Sequence, residues 1–115
     1  MTLESRKLLE DVRRAARLVE RFVQGLDLAA FSASELIRAA VERPFEIVGE
    51  ALNRLSRREP ATLERISDHA RIVAFRNVLI HGYDRIDDLI VWGAIVEKLP
   101  ILLREVDELL AQDDE

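Results

Sequence analysis

The chain has 115 residues, of which 49% are hydrophobic and 34% are charged, and it contains no Cys. This composition excludes a disordered chain, a disulfide framework, thiolate catalysis and Cys-based metal sites. The net charge of −5 argues against a general nucleic-acid-binding surface, although residues 54 to 85 hold seven Arg against four acidic residues. That basic window is either a solvated Arg-rich surface or the surroundings of a site.

The length predicts a single domain over residues 1–115. Residues 1–7 lack the apolar run of a signal peptide, and no segment approaches the roughly 18 apolar residues of a membrane span. We therefore expect a cytoplasmic protein without a membrane segment.

A first helix is predicted over about residues 3 to 24, with Gly25 as its C-terminal cap. Its apolar residues recur at spacings of three and four: Leu8, Val12, Ala15, Val19 and Phe22.

A second helix is predicted to open with a capping box, in which Ser32 is the N-cap and Glu35 follows three residues later. The apolar period continues to Leu55 across Pro44, so we expect one long helix with a kink at Pro44. Gly49 either allows a neighbouring helix to approach closely or has no special role.

The remaining helices follow a polar loop over residues 56 to 67 that contains Pro60 and leaves room for one helical turn. A third helix is predicted from about residue 68 to residue 81, with Gly82 at its end, and a last one from about residue 87 to residue 111, with a kink at Pro100. Residues 112–115 form an acidic tail that we expect to be frayed. Four helices, short connections and no strand pattern predict an all-α, up-and-down four-helix bundle.

The third helix carries the most informative group of residues: Arg76, Asn77, His81 and Tyr83. An Arg binds phosphate through a fixed fork of donors, and a His transfers protons near neutral pH. Arg76 and His81 are about 140° apart on an ideal helix, whereas Asn77 and His81 share a face at i,i+4. A long Arg side chain reaching around the helix, or a second copy of the chain, would complete such a site.

The segment Arg76–Tyr83 resembles the R-x4-H motif of the HEPN superfamily, in the longer R-x4-H-x-Y form of HepT-like toxins. Three further segments are similar to the family pattern: 40–51, which resembles its helix 2, and Val91-Trp92 and Leu99-Pro100 on its last helix. The likeness covers about residues 3 to 110. The chain departs from the pattern at residues 67–70, where a Pro-Trp pair is common.

The resemblance implies a metal-independent endoribonuclease toxin of a type VII toxin–antitoxin pair, without a cofactor or metal. Arg76 and His81 would be catalytic at a composite site in a homodimer or higher oligomer, with Asn77 in support. Tyr83 would accept AMP from a partner nucleotidyltransferase of the MNT type, the antitoxin. The substrate would be RNA, and the family suggests tRNA.

Plainer interpretations stay open beside this one. His81 is a capping or core residue in one of them, Tyr83 packs its ring, and Arg76 pairs with Glu46, Glu50 or another acid of the bundle. We expect His69 at the surface and Trp92 and Phe75 in the core. The alternative function is a non-catalytic helical dimer that binds a nucleotidyltransferase or a nucleotide.

Overall fold

Helices make up nearly all of the described chain in this computed structural model, and no strand occurs there. The structure describes the backbone of residues 1–81 and 86–114, and the side chains of these residues except 78, 80, 81, 86 and 87. The helices are α1 (Leu3–Val23), α2 (Leu28–Ala33), α3 (Glu35–Arg58), α4 (Pro60–Leu63), α5 (His69–His81), α6 (Ile86–Gly93) and α7 (Leu99–Asp113), with a π-helical segment (Ala94–Lys98) between the last two. The prediction of an all-α bundle is confirmed.

Helix α1 forms the centre of the bundle. It packs against both α3 and α7, and Leu9, Ala16 and Val19 are fully buried there. Its N-terminus is capped by Thr2, whose hydroxyl accepts a 3.1 Å hydrogen bond from the Ser5 amide. The helix ends one residue earlier than predicted.

The predicted capping box was wrong in its first residue. Ser34 caps α3, and its hydroxyl accepts a 3.1 Å hydrogen bond from the Ile37 amide. Ser32 instead lies in α2, a short helix that the sequence reading did not predict and that is capped by Asp27. Glu35 is therefore the first residue of α3 and not its third.

Helix α3 is one continuous helix across Pro44, as predicted, and it continues to Arg58. The expected helical turn near Pro60 is α4, which begins at that residue. Proline suits the first position of a helix because its missing N–H has no intrahelical acceptor there.

The last predicted helix is divided by the π-helical segment, which ends two residues before Pro100. A proline removes one backbone donor and its ring crowds the carbonyl four residues earlier. Wider winding just before Pro100 accommodates both effects, and the irregularity expected at Pro100 takes this form.

Contacts at the end of α7 hold residues that we had expected to be frayed. The helix continues to Asp113, whose carboxylate lies 3.2 Å from the amino group of Met1 and 3.1 Å from Arg6. Asp114 also pairs with Arg6, at 2.9 Å. Residues 113 and 114 are therefore held against α1.

Candidate functional site

Arg76 lies where α5 packs against α3 at Gly49. A Cβ atom built on Gly49 would be 3.4 Å from the Cβ of Arg76, 3.9 Å from its Cδ and 3.8 Å from the carbonyl oxygen of Val73. The backbone of α3 thus supports the first carbons of the Arg76 side chain, while the residue remains exposed. Of the two possibilities for Gly49, the structure shows the close approach of a neighbouring helix.

The two acidic residues considered as partners of Arg76 are paired elsewhere. Glu46 lies 3.3 Å from Arg43, and Glu50 lies 3.3 Å from Arg54. Within the described part of the chain, no carboxylate comes within 4.0 Å of the Arg76 guanidinium. Neither Glu46 nor Glu50 neutralises this cation, which supports its use for an external anion.

The other motif residues lie on α5 or just beyond it. Asn77 is exposed beside Arg76, and His81 is the last residue of the helix. On an ideal helix the backbone of His81 is about 7.5 Å along the axis from that of Arg76. The side chain of His81, together with Gly82 and Tyr83, falls outside the described residues, so their predicted roles stay predictions.

The start of α5 is held by an ion pair with the π-helical segment. Asp68 has a left-handed backbone, with φ of 56°, and its carbonyl accepts the first helical hydrogen bond from Ile72 at 3.0 Å. Lys98 lies 2.7 Å from the Asp68 carboxylate and lowers the pKa of that group. This chain therefore secures the entry to α5 with charges at the place where it departs from the family pattern.

His69 is at the opposite end of α5 from His81, about 18 Å away along an ideal helix axis. Its Nε2 atom lies 3.9 Å from the Glu64 carboxylate, and its side chain is partly exposed. This separation removes His69 from any site built around His81.

The carboxylates of α7 pair with cations of α1. Asp107 lies 3.4 Å from Arg13 and 3.3 Å from Arg17, and Asp113 is held by Arg6. The negative charge of the last helix is thereby partly compensated on the α1 side of the bundle.

Two aromatic pairs pack against the core, as predicted for Trp92 and Phe75. Trp92 lies 5.2 Å from Phe31 between ring centroids, and Phe75 lies 5.1 Å from Phe45 in an edge-to-face arrangement. Both side chains therefore serve packing within the bundle.

An apolar cavity of about 260 Å³ lies beside the motif helix, between α3, α5, α6 and the π-helical segment. Its walls include Phe45, Phe75, Leu89 and Ile90, and Arg71 stands among the lining residues. Sequence reasoning missed this cavity because its walls come from four elements whose spacing only the fold determines.

No group of three or more His, Cys, Asp or Glu side chains in metal-binding proximity occurs among the described residues. Over the same residues, every helix is too short or too polar to cross a bilayer.

Comparison with known proteins shows a consistent set of relatives. Residues 12–109 match the model of a family described as "Ribonuclease HepT-like". A protein of Methanocaldococcus jannaschii named as a candidate RNase is 31% identical over 99 residues, which cover 86% of this chain and 90% of the relative. A protein of Thermococcus cleftensis named as a probable ribonuclease HepT is 29% identical, over 88% of this chain and 91% of the relative.

A third relative, from Caldanaerobacter subterraneus and likewise named as a candidate RNase, is 26% identical over 94% of this chain and 96% of its own length. No solved structure matches significantly. The family match extends over most of the chain and includes α3 and α5, the two helices that meet at Gly49 and Arg76. The chain therefore belongs to the HepT-like ribonuclease family.

Proposed function

We propose that this chain is a metal-independent endoribonuclease and the toxin of a type VII toxin–antitoxin pair. The observation that carries the proposal is the placement of Arg76, exposed and supported by Gly49, on the helix that ends at His81, in a member of a ribonuclease family. RNA is suited to cleavage without a metal because its 2′-OH can attack the adjacent phosphate.

In the proposed reaction, the 2′-oxygen forms a bond to phosphorus while the bond from phosphorus to the 5′-oxygen breaks. One proton leaves the 2′-OH and another reaches the departing 5′-oxygen, so the products are a 2′,3′-cyclic phosphate and a 5′-OH. His81 acts as the general base or the general acid. The C-terminal end of α5, where His81 lies, favours a cationic side chain.

Arg76 binds the phosphate in this proposal and offsets the charge that gathers on its oxygens. Its stem rests on the α3 backbone, so less conformational freedom is lost when the guanidinium engages an anion. Asn77 orients His81 or bonds the substrate, since the two residues are one helical turn apart.

One His does not easily serve both the attacking and the leaving oxygen. A two-fold dimer would supply the second His81, and isologous dimers are the commonest oligomers. We place this function in the cytoplasm, with RNA as substrate and an MNT-type nucleotidyltransferase as the antitoxin that adds AMP to Tyr83.

The test is incubation of pure, unmodified protein with RNA in the presence of a chelator, followed by end-group analysis. We expect cleavage with 2′,3′-cyclic phosphate ends. His81→Ala should lower the rate by roughly 10²–10⁴-fold, the usual contribution of general acid–base catalysis. Arg76→Ala should lower it by a comparable factor.

His69→Ala is the matched control, because it removes the other His of the same helix, far from the site. Activity that requires a divalent metal, or that persists in His81→Ala, would refute the mechanism. A folded wild type without any cleavage would favour the alternative of a non-catalytic binder.

A further inference from the structure

A face formed by α6 and the π-helical segment exposes large apolar side chains. Leu89 is 65% exposed, Ile90 44% and Val96 49%. Gly93 lies between them, and a Cβ atom built on it would meet nothing within 4 Å. We call these four residues the α6 face. A glycine in open space flanked by exposed apolar residues is the pattern of a helix surface that another helix can approach closely.

The neighbouring helix α5 is also incompletely covered. Among its described side chains none is fully buried, and Ile72, Phe75 and Leu79 pack only partly against the core. The apolar cavity of about 260 Å³ opens between α5 and the α6 face, and Leu89, Ile90 and Gly93 are among its lining residues. The unfilled apolar surface is therefore continuous from α6 to the helix that carries Arg76.

The sequence around Gly93 has the symmetry that self-association requires. Ile90 precedes Gly93 by three residues and Val96 follows it by three. In an antiparallel pair of helices related by a two-fold axis near Gly93, Ile90 of one copy faces Val96 of the other, and the reverse. An isologous interface needs such self-complementarity.

The charges beside the face follow the same rule. Asp88 precedes Gly93 by five residues and Lys98 follows it by five, so the same axis brings these opposite charges together twice. Within one chain both groups already take part in ion pairs, Asp88 with Arg38 at 3.9 Å and Lys98 with Asp68 at 2.7 Å. The second copy would extend these pairs without leaving a like charge opposite either group.

We infer that the α6 face, with the adjoining cavity and the exposed side of α5, is the surface on which two copies of this chain associate about a two-fold axis. A stable interface takes about 800 Å² from each partner, which requires the α5 side as well as the four residues of the α6 face. The inference rests on the proposed function only in its claim that association completes the catalytic site. His81 precedes the first residue of α6 by five residues, so the interface and the motif are neighbours.

The absence of Cys from this chain makes cross-linking a clean test. A residue on a two-fold axis meets its own copy, so Gly93→Cys should give a covalent dimer under mild oxidation. Leu3→Cys is the matched control: it is 83% exposed on α1, away from the α6 face, and should stay monomeric on a denaturing gel. A mixture of Ile90→Cys and Val96→Cys should cross-link more than either variant alone.

Light scattering at micromolar concentration supplies the second measurement. The wild type should have the mass of two chains, and Val96→Glu should halve it while the helical circular dichroism is kept. Leu3→Glu, which also places a charge on an exposed apolar position, should leave the mass unchanged. A monomeric wild type, or a dimer that survives Val96→Glu and cross-links through Leu3→Cys, would overturn the inference.

The RNA cleavage assay separates this inference from the proposed function. A dimer that forms through the α6 face but does not cleave RNA would refute the function and leave the interface standing. Cleavage by a monomer would refute the claim that association completes the site.

Discussion

Gly49 of α3 and Arg76 of α5 are in contact through the position where any other residue would carry a Cβ atom, 3.4 Å from the Cβ of Arg76. That distance is an ordinary van der Waals contact for a methyl group and leaves no room for a longer side chain. The separation between the two helices at the proposed phosphate-binding residue is therefore determined by the small size of residue 49.

Gly49→Leu should displace α5 and lower both stability and RNA cleavage. Overpacking of this kind typically costs about 1–3 kcal/mol in the free energy of unfolding. Gly49→Ala fits the space and should keep activity within a few-fold, with stability equal to or slightly above wild type because alanine favours a helix interior. Urea unfolding and RNA cleavage measure the two effects. Ala39→Leu, an exposed position on the same helix, is the control, and equal behaviour of both Leu variants would contradict the prediction.

Ser34 and Ser32 offer a matched pair for the start of α3. Ser34→Ala removes the side-chain oxygen that accepts from the Ile37 amide and should cost about 1 kcal/mol, the usual value of an N-cap. Ser32→Ala lies inside α2 and should cost less. Chemical denaturation of the two variants decides between them, and a larger loss for Ser32→Ala would restore the capping box predicted from sequence.

Glu59 links the start of α1 to the end of α3 and should make stability dependent on acidity. Its carboxylate accepts from the Thr2 amide at 2.6 Å and from the Thr62 hydroxyl at 2.9 Å. These bonds, the Thr2 amide first, lower the pKa of Glu59 from 4.5 to about 2. A carboxyl group whose pKa is lower in the folded state stabilises the fold above its unfolded pKa and loses that contribution as the pH falls.

The stability difference between wild type and Glu59→Gln should therefore be full above pH 4.5 and should shrink as the pH falls toward about 2. Urea unfolding at a series of pH values measures it. Glu64→Gln, at an exposed position after α4, is the control and should show a smaller change. A difference between wild type and Glu59→Gln that stays constant across this range would refute the assignment.

Tyr83 provides the test of antitoxin control. Co-expression with an active MNT-type nucleotidyltransferase should add one or more AMP units to Tyr83, and the added negative charge should exclude RNA from the neighbouring site. Tyr83→Phe keeps the ring, lacks the acceptor oxygen and should gain no mass. Intact-mass and peptide spectrometry measure the modification. AMP on another residue, or none at all, would mean that the antitoxin acts by binding alone.

The helices were predictable because their apolar periods are long, but the exact buried row of α1 was not. The predicted stripe included Leu8 and Phe22, which are only partly buried, whereas Leu9 is fully buried. Apolar residues occupy adjacent positions along α1, and the helix packs against both α3 and α7, so its apolar face is wider than one stripe. Periodicity alone does not select the centre of such a face.

Local signals failed where two similar residues competed. Ser32 and Ser34 are both suitable N-caps, and only the chain direction after the short α2 decides in favour of Ser34. The π-helical segment leaves no signal in the sequence other than Pro100 itself.

The candidate site divides in the same way. Sequence reasoning named Arg76 and left its partner open, and the fold then showed Gly49 beneath it and the acids of α3 engaged elsewhere. Contacts between helices depend on register, which a single sequence does not fix.

The unequal burial of α1 and α5 has a consequence for how this protein can change. Residues such as Leu9 and Val19 on α1 carry the free energy of the fold, so most replacements there would unfold the chain. The described side chains of α5 are all at least partly exposed, so replacements there cost little stability. Substrate preference can therefore be altered on α5, by evolution or in the laboratory, while α1 keeps the molecule folded.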